Sequence, residues 1–215
     1  MGEVVSERLV GKLMREHGLK AHYVKPWIKT TRNSDGSKKL TNVLQRDFTP
    51  AKPNSVWCTD ITYIWTKVGF VYLTSVMNLY SRKNIAWTLS LTLEADEVVQ
   101  CVKMAQSKKH MDQAIIIHSD RGSQYVSKYY RQLTEKMKLS YSDKANPWDN
   151  APIEAFNALN KREWINRFVP ENYEEAYSLV FEYIEGFYNT ERIHSFCDYL
   201  SPYEYEQLFV KTLSA

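Results

Sequence analysis

The chain has 215 residues, 44% hydrophobic and 25% charged, with only 7 Gly and 7 Pro; this excludes collagen-like repeats and wholesale disorder and fits one sizeable domain with a small appendage. Its net charge of +3 is uneven, because residues 1–52 hold 11 Lys/Arg against 5 Asp/Glu, which makes that arm +6 and the remainder −3. Cys58, Cys101 and Cys197 are too far apart for a C-x-x-C zinc site or a disulfide framework, and no stretch approaches the roughly 20 apolar residues that span a bilayer, so a soluble, cytoplasmic protein without a membrane partner is expected.

Residues 5–17 read as a short helix with Val5, Leu9, Val10, Leu13 and Met14 on one side, stopped by Gly18. Residues 25–54 follow with Lys25-Pro26, Asn33-Ser34-Asp35-Gly36-Ser37-Lys38-Lys39 and Thr49-Pro50-Ala51-Lys52-Pro53, the composition of an extended basic connector. The reading divides the chain into a helical segment at 1–24, a basic linker at 25–53 and a body at 54–215. A basic arm suits a polyanion partner, although a solvated Lys-rich linker accounts for the same charge.

The body opens with three strand-like runs, Val56–Trp65, Phe70–Leu79 and Asn84–Leu91, joined by short turns into an antiparallel meander. Residues 94–108 then carry the helical period through Ala95, Val98, Val99, Val102 and Ala105. A short β-branched run, Ala114–His118, reads as a buried parallel strand ending at Ser119-Asp120-Arg121-Gly122. Further expectations are a helix from Ser127 to Met137, a strand at Leu139–Ser142, and helices over Asn150–Arg167, Tyr173–Asn189 and Pro202–Leu208. This order predicts an α/β fold, a mixed sheet with helices on both faces, as in the ribonuclease H-like class.

Three acids stand out. Asp60 lies inside Val56–Trp65, where strand propensity disfavours Asp and a charge among aromatics needs compensation by a metal ion or a buried Arg. Asp120 ends a strand, where open α/β sheets place ligands but where an Asx-turn also uses an Asp. Glu154 lies in Asp149-Asn150-Ala151-Pro152-Ile153-Glu154, a helix start that favours an acid through the helix dipole alone. Helical spacing also puts Asn150, Glu154 and Lys161 on one polar stripe, with Ile153, Phe156, Leu159 and Trp164 opposite. Together the acids supply the hard oxygen ligands that a pair of Mg²⁺ ions needs for in-line phosphoryl displacement.

Trp57-Cys58-Thr59-Asp60-Ile61-Thr62-Tyr63-Ile64, His118-Ser119-Asp120-Arg121-Gly122-Ser123-Gln124-Tyr125 and Asp149-Asn150-Ala151-Pro152-Ile153-Glu154 resemble the retroviral-integrase-like transposases of bacterial insertion sequences, closest to the OrfB product of the IS-three family. The likeness extends to Arg8–Gly18, similar to the end of that family's helix-turn-helix region, to Arg46-Asp47-Phe48 in its connector, and to Tyr188-Asn189, Arg192, His194-Ser195 and Leu200-Ser201-Pro202 near its C-terminus. The resemblance implies a catalytic and metal-binding triad at Asp60, Asp120 and Glu154, with Lys161 contacting DNA near the scissile phosphate. It implies two Mg²⁺ ions, replaceable by Mn²⁺, and double-stranded DNA as partner at both element ends and target. Its chemistry is hydrolysis at the element's ends followed by attack of the freed 3′-hydroxyl on another phosphate. A homo-oligomer on DNA in the bacterial cytoplasm and a companion helix-turn-helix protein follow from the same likeness, the chain being expected to begin inside its DNA-binding region. The 33 residues between Asp120 and Glu154 are slightly fewer than is usual in the family, with the shortening in Ser142–Trp148.

In that loop Lys144 and Trp148 are candidates to hold phosphate and stack on an unpaired base, and Arg121 and Asn150 are further DNA-contact candidates. Ordinary loop packing explains Trp148 as well. His118 is expected to be a structural histidine, and Arg192 and His194 to brace the last helices. The competing functions are a ribonuclease H-like nuclease or resolvase without strand transfer, against which Lys161 and Asp149-Asn150-Ala151-Pro152-Ile153-Glu154 count, and a DNA-binding remnant without catalysis, against which the three retained acids and Lys161 count.

Overall fold

The computed structural model describes residues 5–19, 40–108, 115–144 and 146–213; most of the expected basic linker, residues 25–39, lies outside them. The chain divides into two compact units at Thr30/Thr31. In the first, helix α1 spans Glu7–Glu16, capped by Ser6, whose hydroxyl accepts from the Leu9 N–H, and Gly18 beyond its end has a φ of 67°. This matches the signals read for a helix stop.

The second unit carries a five-stranded sheet in the order β3-β2-β1-β4-β5. The strands are β1 (Val56–Thr66), β2 (Gly69–Asn78), β3 (Asn84–Ser90), β4 (Ile116–Ser119) and β5 (Lys138–Tyr141). β1 to β3 form the expected antiparallel meander, whereas β4 and β5 add in parallel. Period-two alternation divides the sheet's side chains between two cores: Cys58 belongs to one and its neighbour Trp57 to the other. The Trp57 side is covered by α2 (Ala95–Ser107) and α3 (Lys128–Leu133), through Val98, Val102 and Tyr130. The Cys58 side is covered by α4 (Ala151–Asn160) and α6 (Tyr173–Phe181), through Ile153, Phe156 and Val180. The mixed, doubly covered sheet is therefore as expected.

Several boundaries differ for local reasons. α3 stops at Leu133, where the Thr134 hydroxyl donates to the Tyr130 carbonyl at 2.7 Å and competes with the helical bonding pattern. α4 runs through a π-helical turn at Lys161–Ile165 into α5 (Asn166–Phe168), and α6 continues as a π-helical stretch at Glu182–Tyr188. Apolar spacing alone does not distinguish such turns from regular helix. The last helix, α7 (Pro202–Leu213), extends past its expected end. Residues 40–53, expected to belong to the linker, are tied to the body instead. Leu44 is buried in the Cys58-side core, and the Val43 and Leu44 N–H groups donate to Ser140 Oγ on β5.

All three cysteines are unpaired and buried. Among the described residues no helix is long and apolar enough to cross a membrane.

Candidate active site

β1 and β4 run parallel with Cys58 opposite His118; continuing this register by two residues sets Asp60 beside Asp120 at the carboxyl edge of the sheet. α4 lies across β1 at this point, and its Asn157 side-chain amide donates to Asp60 Oδ2 at 2.8 Å. The carboxyl of Glu154, one turn earlier, is close enough to Asp60 and Asp120 to interact with both electrostatically.

Each of these acids is held above its ordinary range. For Asp60 the causes are burial first, then repulsion from Asp120 and Glu154, opposed by hydrogen bonds from Ile61 and Asn157. Asp120 is raised by burial and partly relieved by the Gly122 N–H, which donates to its Oδ1 at 2.8 Å. Glu154, the most exposed of the three, is raised by partial desolvation and by Asp120. The Asx-turn read at Asp120 is thus present, but it uses only one of the two carboxylate oxygens. The buried Arg weighed as a partner for Asp60 is not found: among the described residues none of the three acids forms an ion pair. Lys161 interacts with Asp60 without pairing to it: its ammonium is pushed down by burial and drawn back up by Asp60.

Among the described residues no three His, Cys, Asp or Glu side chains are gathered into a preassembled metal cage. The donor set nonetheless fits a hydrated divalent cation: three hard carboxylates repel one another without a counterion, which a divalent charge would offset. The buried amide oxygens of Asn150 and Asn157 also lack donors. The Asn150 amide nitrogen donates to the Thr59 carbonyl, next in chain to Asp60, so both orphan oxygens belong to side chains anchored beside that acid. Water carried by a hydrated ion supplies the O–H donors such atoms need.

The other site candidates separate clearly. Trp148 is 70% exposed on a 3-10 turn, Pro147–Asn150, just before α4, and Lys144 is also exposed. Asn150, read as a DNA contact, is buried and braces α4 against β1. Arg121 is committed to the protein: its Nε donates to the Ser142 carbonyl at 2.7 Å, and Nη2 lies 3.3 Å from Asp143 Oδ1. His118 is buried between the hydroxyls of Ser140 and Ser142, and burial pushes it down to about 4 against the pull of Asp149, so it is a neutral structural residue as expected. Arg192 grips Glu163 through two nitrogens at 2.7 and 2.8 Å, and His194 Nδ1 accepts from the Phe196 N–H, both bracing contacts. Asn157 was missed in the sequence, although it sits on the stripe of Asn150, Glu154 and Lys161, three residues after the glutamate.

The sequence matches two family profiles, each described as an integrase core domain, over residues 50–147 and 135–202. It is 38% identical over 208 residues to the transposase for insertion sequence element IS904 of Lactococcus lactis subsp. lactis, covering 96% of this chain and 82% of that one. It is 34% identical to the transposase InsF for insertion sequence IS3A of Escherichia coli K12, over 93% of this chain and 70% of that protein. In fold it is similar to the HTLV-2 integrase catalytic core domain solved with magnesium, with a TM-score of 0.55, 14% identity, and coverage of 73% of this chain and 98% of that one. The BIV integrase catalytic core aligns with a TM-score of 0.53 at 17% identity, over 75% and 99% of the two chains.

Proposed function

Because the chain belongs to the integrase-core transposases of bacterial insertion sequences, we propose that it cuts and joins DNA by phosphoryl transfer using Asp60, Asp120 and Glu154 as its catalytic and metal-holding acids. The observation that carries this reading is the convergence of three carboxylates, each held above its ordinary range and none of them in an ion pair among the described residues. Two divalent ions, when bound, would polarise a phosphate and favour deprotonation of the attacking hydroxyl; Mg²⁺ is the proposed metal, with Mn²⁺ as substitute.

The chain's own residues have distinct tasks. Asn157 orients the Asp60 carboxylate, and the Gly122 N–H fixes Asp120 by one oxygen while leaving the other for a ligand. Lys161 brings a positive charge beside Asp60, where it would meet a DNA phosphate. Trp148 offers an exposed ring for an unpaired base, with Lys144 nearby in the same loop. Arg121 and Asn150 support the site from within rather than touching DNA. In strand transfer one phosphodiester forms as another breaks, the proton of the attacking 3′-hydroxyl leaving as the departing 3′-oxygen gains one, so no external energy source is required.

The proposal includes element ends and target DNA as substrates and assembly of more than one copy on DNA in the bacterial cytoplasm. A companion helix-turn-helix protein, as the sequence resemblance implies, would assist end recognition. The reading is tested with a branched DNA duplex that mimics the joined product. In Mn²⁺ the wild type should resolve it by reversing strand transfer and Glu154→Gln should not. Hydrolysis without rejoining would favour a nuclease, and equal activity in both proteins would remove Glu154 from catalysis.

A further inference from the structure

The segment at residues 40–49 forms a strap along the outer edge of β5. The Tyr141 N–H donates to the Thr41 carbonyl at 3.0 Å, Val43 and Leu44 donate to Ser140 Oγ at 3.0 and 2.9 Å, and the Leu44 side chain is buried. Directly after this anchor Gln45 and Arg46 adopt φ values of 47° and 62°. Two consecutive side-chain-bearing residues rarely take this left-handed conformation, and it persists only where the surroundings hold it. Here the Asn42 side chain accepts from the Gln45 N–H at 2.9 Å, immediately before Arg46.

Its Nε donates to Asp149 Oδ1 at 2.7 Å. The Asp149 side chain is only 2% exposed, and its second oxygen accepts from the Asp143 N–H at 2.8 Å. One carboxylate therefore closes the loop from Asp143 to Asp149 on itself and fastens it to the strap. That loop carries Lys144 and Trp148, and α4 with Glu154 begins immediately after it. From the other side Arg121, next to Asp120, reaches the Ser142 carbonyl, the Asp143 carboxylate and, at 3.4 Å, the Leu40 carbonyl of the strap. The Asp120 and Glu154 halves of the site thus share one set of charge-assisted contacts, which are stronger and more directional than neutral ones.

We propose that Arg46 and Asp149 are a positioning pair for the reaction, the strap arginine setting the loop and the first turn of α4 so that Glu154 and Trp148 present themselves to DNA. The inference rests on the transesterase reading for its kinetic part, but the loop geometry is measurable without catalysis. The rival role for Arg46, whose side chain is half exposed, is a direct phosphate contact.

The experiment compares the full chain with Arg46→Ala, Arg46→Lys, Asp149→Asn and the Arg46→Ala/Asp149→Asn double variant. The readouts are the single-turnover rate and half-saturating concentration on the branched duplex in Mn²⁺, and the rate of trypsin cleavage after Lys144 in the absence of DNA. Arg46→Ala should lower the saturated rate by about tenfold or more, because small misplacements of catalytic groups are costly, and change the half-saturating concentration by less than about twofold. Arg46→Lys, which keeps the charge but not the planar fork, should recover part of the rate. The double variant should be no worse than Asp149→Asn alone, as for residues acting as one unit. Cleavage after Lys144 should rise by about tenfold in Arg46→Ala as the loop opens more often. If Arg46→Ala does not fold, Arg46→Lys and Asp149→Asn carry the comparison. A raised half-saturating concentration at unchanged saturated rate would make Arg46 a DNA contact, and unchanged cleavage after Lys144 would overturn the clamp. If the wild type has no activity on the duplex, the transesterase reading fails, and the cleavage comparison still decides the clamp.

Discussion

Acids at two places in this chain experience opposite electrostatic surroundings. Glu163, on the π-helical turn after α4, is pushed up by burial, but hydrogen bonds from Arg192 and Tyr183 and the charges of Arg192 and Arg162 outweigh that, so its carboxyl sits below the usual range. Asp60, Asp120 and Glu154 sit above it, with the Asn157 amide and the Ile61 and Gly122 N–H groups as their relief. Glu163 thus comes with its cation, whereas among the described residues the three acids form no ion pair, the pattern that the proposed metal-holding role calls for. In that role such an arrangement would lower the stability of the metal-free protein in exchange for affinity, a trade-off expected at active sites.

The largest effect that would sharpen this contrast is in the triad. Asp60→Asn and Glu154→Gln should each reduce strand-transfer rate on the order of a thousandfold or more, as removal of a central catalytic group does. The same variants should leave the metal-free melting temperature unchanged or raise it by roughly 2–4 °C, the equivalent of about 1 kcal/mol in a chain of this size. A fall in melting temperature comparable to that of a core substitution would mean that these acids stabilise the fold.

Glu163→Gln should behave in the opposite way. Its partner Arg192 is only 20% exposed, so loss of the carboxylate leaves a poorly solvated cation and should cost about 2 kcal/mol in urea unfolding. Activity per folded molecule should stay within about twofold of wild type. A large fall in rate without loss of stability would place Glu163 in the reaction.

The two groups should also separate in pH. The lowered carboxyl of Glu163 contributes stability above its unfolded value and loses it as pH falls through its folded value, below the ordinary 4.5. The triad, with raised folded values, contributes most below the ordinary carboxylate range of 3.8 to 4.5 and loses that contribution as pH rises through the raised values. Metal-free protein titrated downward from neutral pH should therefore first gain stability from the triad and then lose it from the paired acids. Asp60→Asn should diminish the gain and Glu163→Gln the loss, both measured as unfolding free energy against pH.

The smallest effect concerns Gly122. A Cβ there would lie 3.0 Å from Asp120 Oδ1 and 3.1 Å from Gln124 Oε1. Gly122→Ala should shift the Asp120 carboxylate slightly and lower the rate by roughly two- to tenfold, with stability almost unchanged; an unaltered rate would show that Asp120 tolerates displacement.

The strands were legible in the sequence because alternation and β-branched runs follow directly from side-chain direction, and the mid-strand Asp60 was conspicuous for breaking that pattern. The stripe through Asn150, Glu154 and Lys161 was legible from the helical repeat. The same repeat includes Asn157, which carries the same signal. Asn150 faces inward because a helix stripe does not reveal what packs over its first turn. Arg121 looked like a DNA contact because a cation beside a candidate catalytic acid carries no mark of the carbonyls that occupy it. The bond between Arg46 and Asp149 spans 103 positions, and nothing local in either segment announces it. The π-helical turns escape because no residue type in Lys161–Ile165 or Glu182–Tyr188 marks an i→i+5 bond.

The most direct test of the account is the change in melting temperature of the full chain on titration with Mg²⁺ or Mn²⁺, without DNA, for wild type, Asp60→Asn and Glu163→Gln. Uncompensated acids that await a cation predict that wild type and Glu163→Gln rise by several degrees as metal approaches roughly 100 times its dissociation constant, while Asp60→Asn rises far less. An equal rise in all three proteins, or none in the wild type, would contradict it.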